Sequence, residues 1–226
     1  MKLLIDDANF DKIKRLYEFY PIDGVTTNPS ILAKAGEKWP FDALLAIRAF
    51  IGEEADLHAQ VIGRDAKTMA GEGRRIAGLL GRNTYIKIPA VPQGLKAMRI
   101  LSGEGLRVTA TAVYTVQQAY LSGKAGADFA APYVNRIDNL GGDGVETACR
   151  IHDLYRINGM KTQILAASFK NTRQVLALAE HGAAAATASP EVIEGMMRNA
   201  DVDAAVEAFI SDFETLCGPG KTMLEG

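Results

Sequence analysis

The sequence predicts an α/β protein, a single-domain (β/α)8 barrel of TIM-barrel type with an additional C-terminal helix. Three observations predict it. Eight short apolar or β-rich runs recur along the chain, separated by longer segments with apolar residues three and four apart, the alternation of parallel strands and helical crossovers. The units follow one another over residues 1–200 of the 226 without a Pro/Ser-rich linker, and barrels of this length commonly form one domain. No G-x-G-x-x-G follows the first run, which tells against a doubly wound open sheet.

In chain order the strand runs are LLIDDA (3–8), GVTTNP (24–29), LHAQVIG (57–63), TYIKIPA (84–90), RVTATAVY (107–114), ADFAAPYV (127–134), QILAASF (163–169) and AAAATAS (183–189). DAKTMAGEGRRIAGLL (65–80) and VETACRIHDLYRI (145–157) show the helical spacing between them. Residues 1–200 make up the barrel. DVDAAVEAFISDFETLC (201–217) is a helix beyond the eighth unit, and Gly218-Pro219-Gly220 is its stop signal. Residues 218–226 are expected to be a flexible tail. Val206, Phe209, Ile210 and Phe213 share one face of that last helix and need a partner surface, either this barrel or a neighbouring subunit.

Charge and composition exclude several classes. A net charge of −2 with 48% hydrophobic residues and no long Lys/Arg run offers nothing to nucleic acid or an anionic membrane. Cys149 and Cys217 lie far apart with no CxxC, so neither a redox pair nor a zinc site is signalled. The opening MKLLIDDANF has too short an apolar stretch for a signal peptide and no membrane span appears elsewhere, which makes the cytoplasm the expected compartment. His58, His152 and His181 have no ligand spacing, and no metal or other cofactor is expected.

One run is unusual. In RNTYIKIPAV (82–91) a lysine, Lys87, sits in the middle of an apolar strand, where an unpaired ammonium group costs several kcal/mol, about as much as a buried ion. Side chains alternate between the two faces of a strand, and in a barrel those faces are the helix layer and the lumen. Ile86 and Ile88 suit the helix layer, which turns Tyr85 and Lys87 inward. The same parity turns Asp6, Thr26, Asn28, His58, Gln60, Thr109, Thr111, Ala131, Tyr133, Ala166 and Ser168 inward. Most of the polar ones lie toward the carboxyl ends of their strands, where barrel active sites are built. A lysine between low-dielectric walls keeps more of its amine neutral, able to form a Schiff base with a carbonyl and to drain electrons from the neighbouring carbon.

Each residue also has a structural reading. Lys87 can snorkel out of its strand end, Asn28 before Pro29 can be turn chemistry, Thr111 a β-former, Gln60 a structural amide and Tyr133 a packed aromatic. Arg136 and Asp138 can form a surface pair, while Asp6 and Ser168 can cap helices. His58 reads as a core histidine one layer below Gln60. These readings do not predict a common face.

The stretches GVTTNPSIL, HAQV, IKIP, TATAVYT, APYVNRID and LAASFK together resemble the fructose-6-phosphate aldolases of the transaldolase family over essentially the full length. Transaldolases of this size usually carry Glu at the position of Gln60 and Phe at that of Tyr133, so the aldolase branch is the closer likeness. The resemblance implies Lys87 as the Schiff-base lysine, and Tyr133 as acid/base with Gln60 and Thr111 holding a water. It also implies that Asp6 and Asn28, joined by Thr26, read substrate hydroxyls, and that Ser168 and Arg136 hold the phosphate. It implies sugar-phosphate, ketone and aldehyde substrates, no cofactor, and a homo-oligomer, a pentamer or a decamer of two pentamers. The implied reaction is cleavage of fructose 6-phosphate to dihydroxyacetone and glyceraldehyde 3-phosphate. The rivals are a transaldolase passing the three-carbon unit to another sugar phosphate, and a non-catalytic sugar-phosphate binding barrel. Departures from the family pattern are Asp7, the loop Ala90-Val91-Pro92, Ser189 and His58.

Overall fold

The computed structural model describes residues 1–36 and 39–225. Its elements in chain order are β1 (Lys2–Asp6), α1 (Phe10–Phe19), β2 (Gly24–Thr26), α2 (Pro29–Ala35), α3 (Pro40–Ile51), β3 (Asp56–Gln60), α4 (Ala66–Leu80), β4 (Thr84–Pro89), α5 (Pro92–Gly103), β5 (Arg107–Val113), α6 (Val116–Lys124), β6 (Phe129–Pro132), α7 (Val134–Asn139), α8 (Gly144–Ile157), β7 (Gln163–Ala166), α9 (Thr172–Glu180), β8 (Ala185–Ala188), α10 (Pro190–Gly195) and α11 (Ala200–Cys217). The described strands form a closed parallel barrel in sequence order, with β8 pairing back to β1. The chain divides into two compact units, 1–193 and 194–226, and the barrel strands all lie in the first.

Local chemistry explains the strand-to-helix turns at the carboxyl end of the barrel. Asn9, Asn28, Asp65, Thr115 and Asn171 each accept a first-turn N–H with the side chain, ending the strand run and starting the helix, and Asp143 does the same between α7 and α8. Thr115–Gln118 and Asn171–Gln174 form full capping boxes. Asp7, two residues before the cap of α1, accepts the N–H groups of Ala8 and Asn9.

The main core lies between strands and helices. Ile5, Val25, Leu57, Ile86, Ile88, Val108, Val113 and Ile164 point outward into it and are almost wholly buried. Burying each such side chain contributes about 1.5–3 kcal/mol. Gly94 lets α5 touch β4: a Cβ there would lie 1.9 Å from the Pro89 carbonyl oxygen. Inside the barrel a second cluster of Leu4, Tyr85, Phe129, Leu165 and Ala185 closes the lower lumen. The lumen is therefore plugged below and can open only at the carboxyl ends of the strands.

Two departures from simple alternation occur. Ala166 does not face the lumen: it packs in the outer core, and its neighbour Leu165 is the lumenal residue. The alternation that turns Ala166 and Ser168 to the same side fails because Ser168 stands past the strand end at φ 62, a left-handed residue that resets it. On β5, Ala112 has φ 54, and the register with β6 jumps from Ala110–Ala130 to Val113–Pro132, one extra residue on β5. Among the described residues no helix is long and apolar enough to cross a membrane.

Candidate active site

The strand registers stack the lumen in layers drawn from alternate strands. His58 and Thr109 share a layer with Leu4 and Leu165, just above the Tyr85 and Phe129 rings. His58 stacks on Tyr85 with ring centroids 4.4 Å apart and 6° between planes, and its Nδ1 is 3.0 Å from Thr109 Oγ1. Its Nε2 has no hydrogen-bond partner among the described residues. Burial, and then the charge of Lys87, hold the His58 pKa well below the ordinary 6.5, so the ring is neutral. The expected core histidine is there, with one of its nitrogens satisfied.

The next layer carries Lys87, Thr26, Ala131 and Thr187. Lys87 is only 5% exposed, and its Nζ donates to the Thr27 carbonyl oxygen at 2.8 Å. Burial lowers the pKa of this amine below the usual 10.5, while the Asp6 carboxylate pulls the other way. The snorkelling reading therefore fails: the nitrogen stays inside. Thr26 Oγ1 donates to Asp6 Oδ1 at 2.7 Å and lies 2.7 Å from Thr187 Oγ1, so strands β1, β2 and β8 share one hydroxyl–carboxylate chain. Burial raises the Asp6 carboxyl above its ordinary range, opposed by Lys87 and by the Thr26 hydroxyl.

Above these lies the mouth. Gln60 is paired in register with Lys87 on the adjacent strand and, like it, faces inward. The Tyr133 hydroxyl is 2.8 Å from Thr111 Oγ1. Asn28 takes up a structural duty as well, for its Oδ1 accepts the Ile31 N–H at 3.0 Å, leaving the amide NH2 to face other partners. Arg136 is not paired with Asp138, whose carboxylate accepts from the Gly144 N–H and from Gln174 Nε2. The guanidinium lies over the Tyr133 ring, 4.7 Å from its centroid, and its pKa is raised foremost by hydrogen bonding to Tyr114. Ser168 joins this rim through its backbone, its carbonyl accepting the Asn135 N–H at 2.8 Å.

The structure thus gathers Lys87, Asp6, Thr26, Gln60, Thr111 and Tyr133 at one end of one lumen, with Asn28, Arg136 and Ser168 on its rim. Three participants were not singled out from the sequence. Thr187 escaped because the alternation on β8 was not followed. The Thr27 carbonyl is a backbone atom, which no residue pattern reveals. Tyr114 stands at a position that strict alternation from Thr111 sends to the outside; the bulge turns it in. Chemically, the arrangement offers a dry amine, a carboxyl and hydroxyl chain on one side of it, and a phenol on the other.

In fold, the chain is similar to a native KDPGal structure, with a TM-score of 0.57, 14% identity, and coverage of 84% of this chain and 82% of that one. It is also similar to a mutant flavocytochrome b2 with benzoylformate, with a TM-score of 0.55 and 10% identity over 76% of this chain and 50% of that one. A second mutant of flavocytochrome b2, with pyruvate bound, gives 0.58 and 9% over 84% and 56%. These likenesses concern the barrel alone. At the level of sequence, residues 3–219 match the family described as Transaldolase/Fructose-6-phosphate aldolase, and the chain belongs to that family.

Proposed function

We propose that this chain, an enzyme of the aldolase or transaldolase type by its family, is a class I aldolase that reversibly cleaves fructose 6-phosphate to dihydroxyacetone and glyceraldehyde 3-phosphate. The observation that carries the reading is the Lys87 amine, 5% exposed inside the lumen and bonded to a neutral carbonyl rather than to a carboxylate. A carbonyl acceptor satisfies NH2 as well as NH3⁺, so the amine loses its proton without losing its partner.

In the cleavage direction Lys87 Nζ attacks the ketone carbon, and the carbinolamine loses water to leave a protonated imine. The C3–C4 bond then breaks: its electron pair flows toward the iminium nitrogen to give an enamine, and the C4 hydroxyl proton departs as the aldehyde forms. The Tyr133 hydroxyl, held by Thr111, relays that proton through a water positioned with Gln60, giving up one proton as it accepts another. The same route returns a proton to the enamine carbon, and water releases dihydroxyacetone from Lys87. Asp6, with Oδ1 held by Thr26, and the Asn28 amide read the hydroxyls beside the reacting carbons. Arg136 and Ser168 hold the phosphate.

The amide of Gln60 and the phenol of Tyr133, in place of the carboxylate and phenyl that transaldolases usually carry, support cleavage over transfer. We further propose a cytoplasmic homo-oligomer. Two measurements test the reading. Borohydride reduction with dihydroxyacetone is expected to leave an adduct on Lys87, absent in Lys87→Met; a wild type that gains no mass overturns it. Fructose 6-phosphate alone is expected to release free dihydroxyacetone; release only when an aldose phosphate acceptor is added points to a transaldolase.

A further inference from the structure

A bulge in β5 gives the site a component that the reaction scheme above leaves out. Without the extra residue, alternation from Thr109 and Thr111 would place Val113 in the lumen and Tyr114 in the helix layer. Instead Val113 is wholly buried in the outer core, and Tyr114 faces the mouth with its ring 5.6 Å from that of Tyr133 at 69°. The insertion point is Ala112, left-handed at φ 54, a conformation strained for an L-residue with a side chain. Bulges next to sites of chemistry re-aim a side chain. The re-aimed backbone is then fixed, because the N–H groups of Tyr114 and Thr115 both donate to the Gln118 side chain of the α6 capping box, at 2.8 and 3.1 Å.

The residue that this device brings into place borders Arg136. The guanidinium is exposed and sits on a long flexible stem, which free in solution would sample many rotamers. One of its faces lies on the Tyr133 ring at 4.7 Å. The Tyr114 phenol stands near it and favours its charged form. The two phenols meet edge to face beside one planar cation.

We propose that Tyr114 is a specificity-determining residue which, turned inward by the Ala112 bulge, fixes Arg136 for recognition of a phosphate monoester on the acceptor aldehyde. The proposal rests on the role of Arg136 given above and extends it. Its consequence is selective: a pre-set guanidinium favours phosphorylated over unphosphorylated acceptors, because the ordering entropy of the arginine is spent before substrate arrives. Loss of the Tyr114 hydroxyl acts on the acceptor's phosphate end and not on the amine of Lys87.

The test uses inorganic phosphate as a probe independent of turnover, followed through the Arg136 Nε–H signal by NMR, with Arg136→Met identifying that signal. Tyr114→Phe is expected to weaken phosphate binding about five- to ten-fold, the loss of one polar neighbour of a charged group. It is also expected to raise the ratio of KM for glyceraldehyde 3-phosphate to KM for glyceraldehyde by a similar factor. Ala112→Gly, which adopts positive φ without strain, is expected to keep the phosphate affinity; Ala112→Val, which resists it, is expected to lose affinity as Tyr114→Phe does. The borohydride adduct on Lys87 reports that each variant has a folded site. Unchanged phosphate affinity and an unchanged KM ratio in Tyr114→Phe overturn the proposal, and so does a wild-type Arg136 Nε–H signal that phosphate leaves unmoved. A missing Lys87 adduct alongside the expected phosphate effects overturns the Schiff-base reading and leaves this proposal standing.

Discussion

Lys87 and Asp6 shift each other's proton equilibria in a low-dielectric lumen, and the direction of each shift has a consequence. Burial lowers the folded-state pKa of Lys87 below the 10.5 of an ordinary lysine. The amine that attacks a ketone therefore becomes available at lower pH than a surface lysine's. The rate of borohydride-trapped adduct formation is expected to rise with pH and to reach half its plateau below pH 10.5; a midpoint at or above that value contradicts the burial argument. The same shift acts on stability. Because the folded pKa is the lower one, the lysine costs nothing above pH 10.5 and its penalty grows as pH falls to the folded value, then stays constant. Lys87→Met, which fills the space without a charge, is expected to raise Tm by roughly 2–8 °C at neutral pH, with the gain fading toward pH 10.5 in thermal melts. Asn28 separates its two duties in another variant. Asp caps helices as well as Asn, so Asn28→Asp is expected to hold Tm within about 2 °C while cleavage falls by about ten-fold or more, since a carboxylate replaces the NH2 donor.

At the scale of elements, the placement of Lys87 depends on how closely α5 lies on β4. Gly94 makes that contact possible, and a methyl group there meets the Pro89 carbonyl oxygen at 1.9 Å and Ile88 Cγ2 at 3.3 Å. Gly94→Ala is expected to destabilise the fold by about 2–4 kcal/mol in urea unfolding, more than an overpacked side chain alone, because backbone must move. The strands themselves were legible as eight β-rich runs, since period-two patterning and the Asn, Asp and Thr caps after them are local signals. Ala166 and Tyr114 were not, for a single left-handed residue inverts every later side chain on its strand. Nothing in the side chains of Ala112 or Ser168 announces positive φ; neither is a glycine, and the conformation is imposed by the neighbouring strands and the turn that follows. The pairs α2–α3 and α7–α8, each standing where one helix was expected, went unread for a related reason: caps and helix formers inside a long connection do not say how often it breaks.

In the molecule as a whole, the unit 194–226 carries α11, whose Phe209 and Leu216 side chains are 69% and 81% exposed. A run of apolar residues left in water calls for a covering surface, and the proposed homo-oligomer supplies one. Phe209→Glu is expected to shift the sedimentation species toward monomer, with the barrel still folded by circular dichroism; an unchanged large species, or a wild type that is monomeric, removes α11 from the assembly. The sequence by itself determined the alternation of strands and helices, the outward apolar face of most strands, and the lysine that had no apolar reason to be where it is. Those follow from the period of side-chain direction and the cost of burying charge, both of which operate residue by residue. Only the tertiary structure decided that the Lys87 amine rests on the Thr27 carbonyl, that Thr187 completes the chain to Asp6, and that Tyr114 brackets Arg136. Each of those contacts joins strands or rim segments far apart in the chain, and their meeting is set by the closure and register of the barrel, which no local pattern contains.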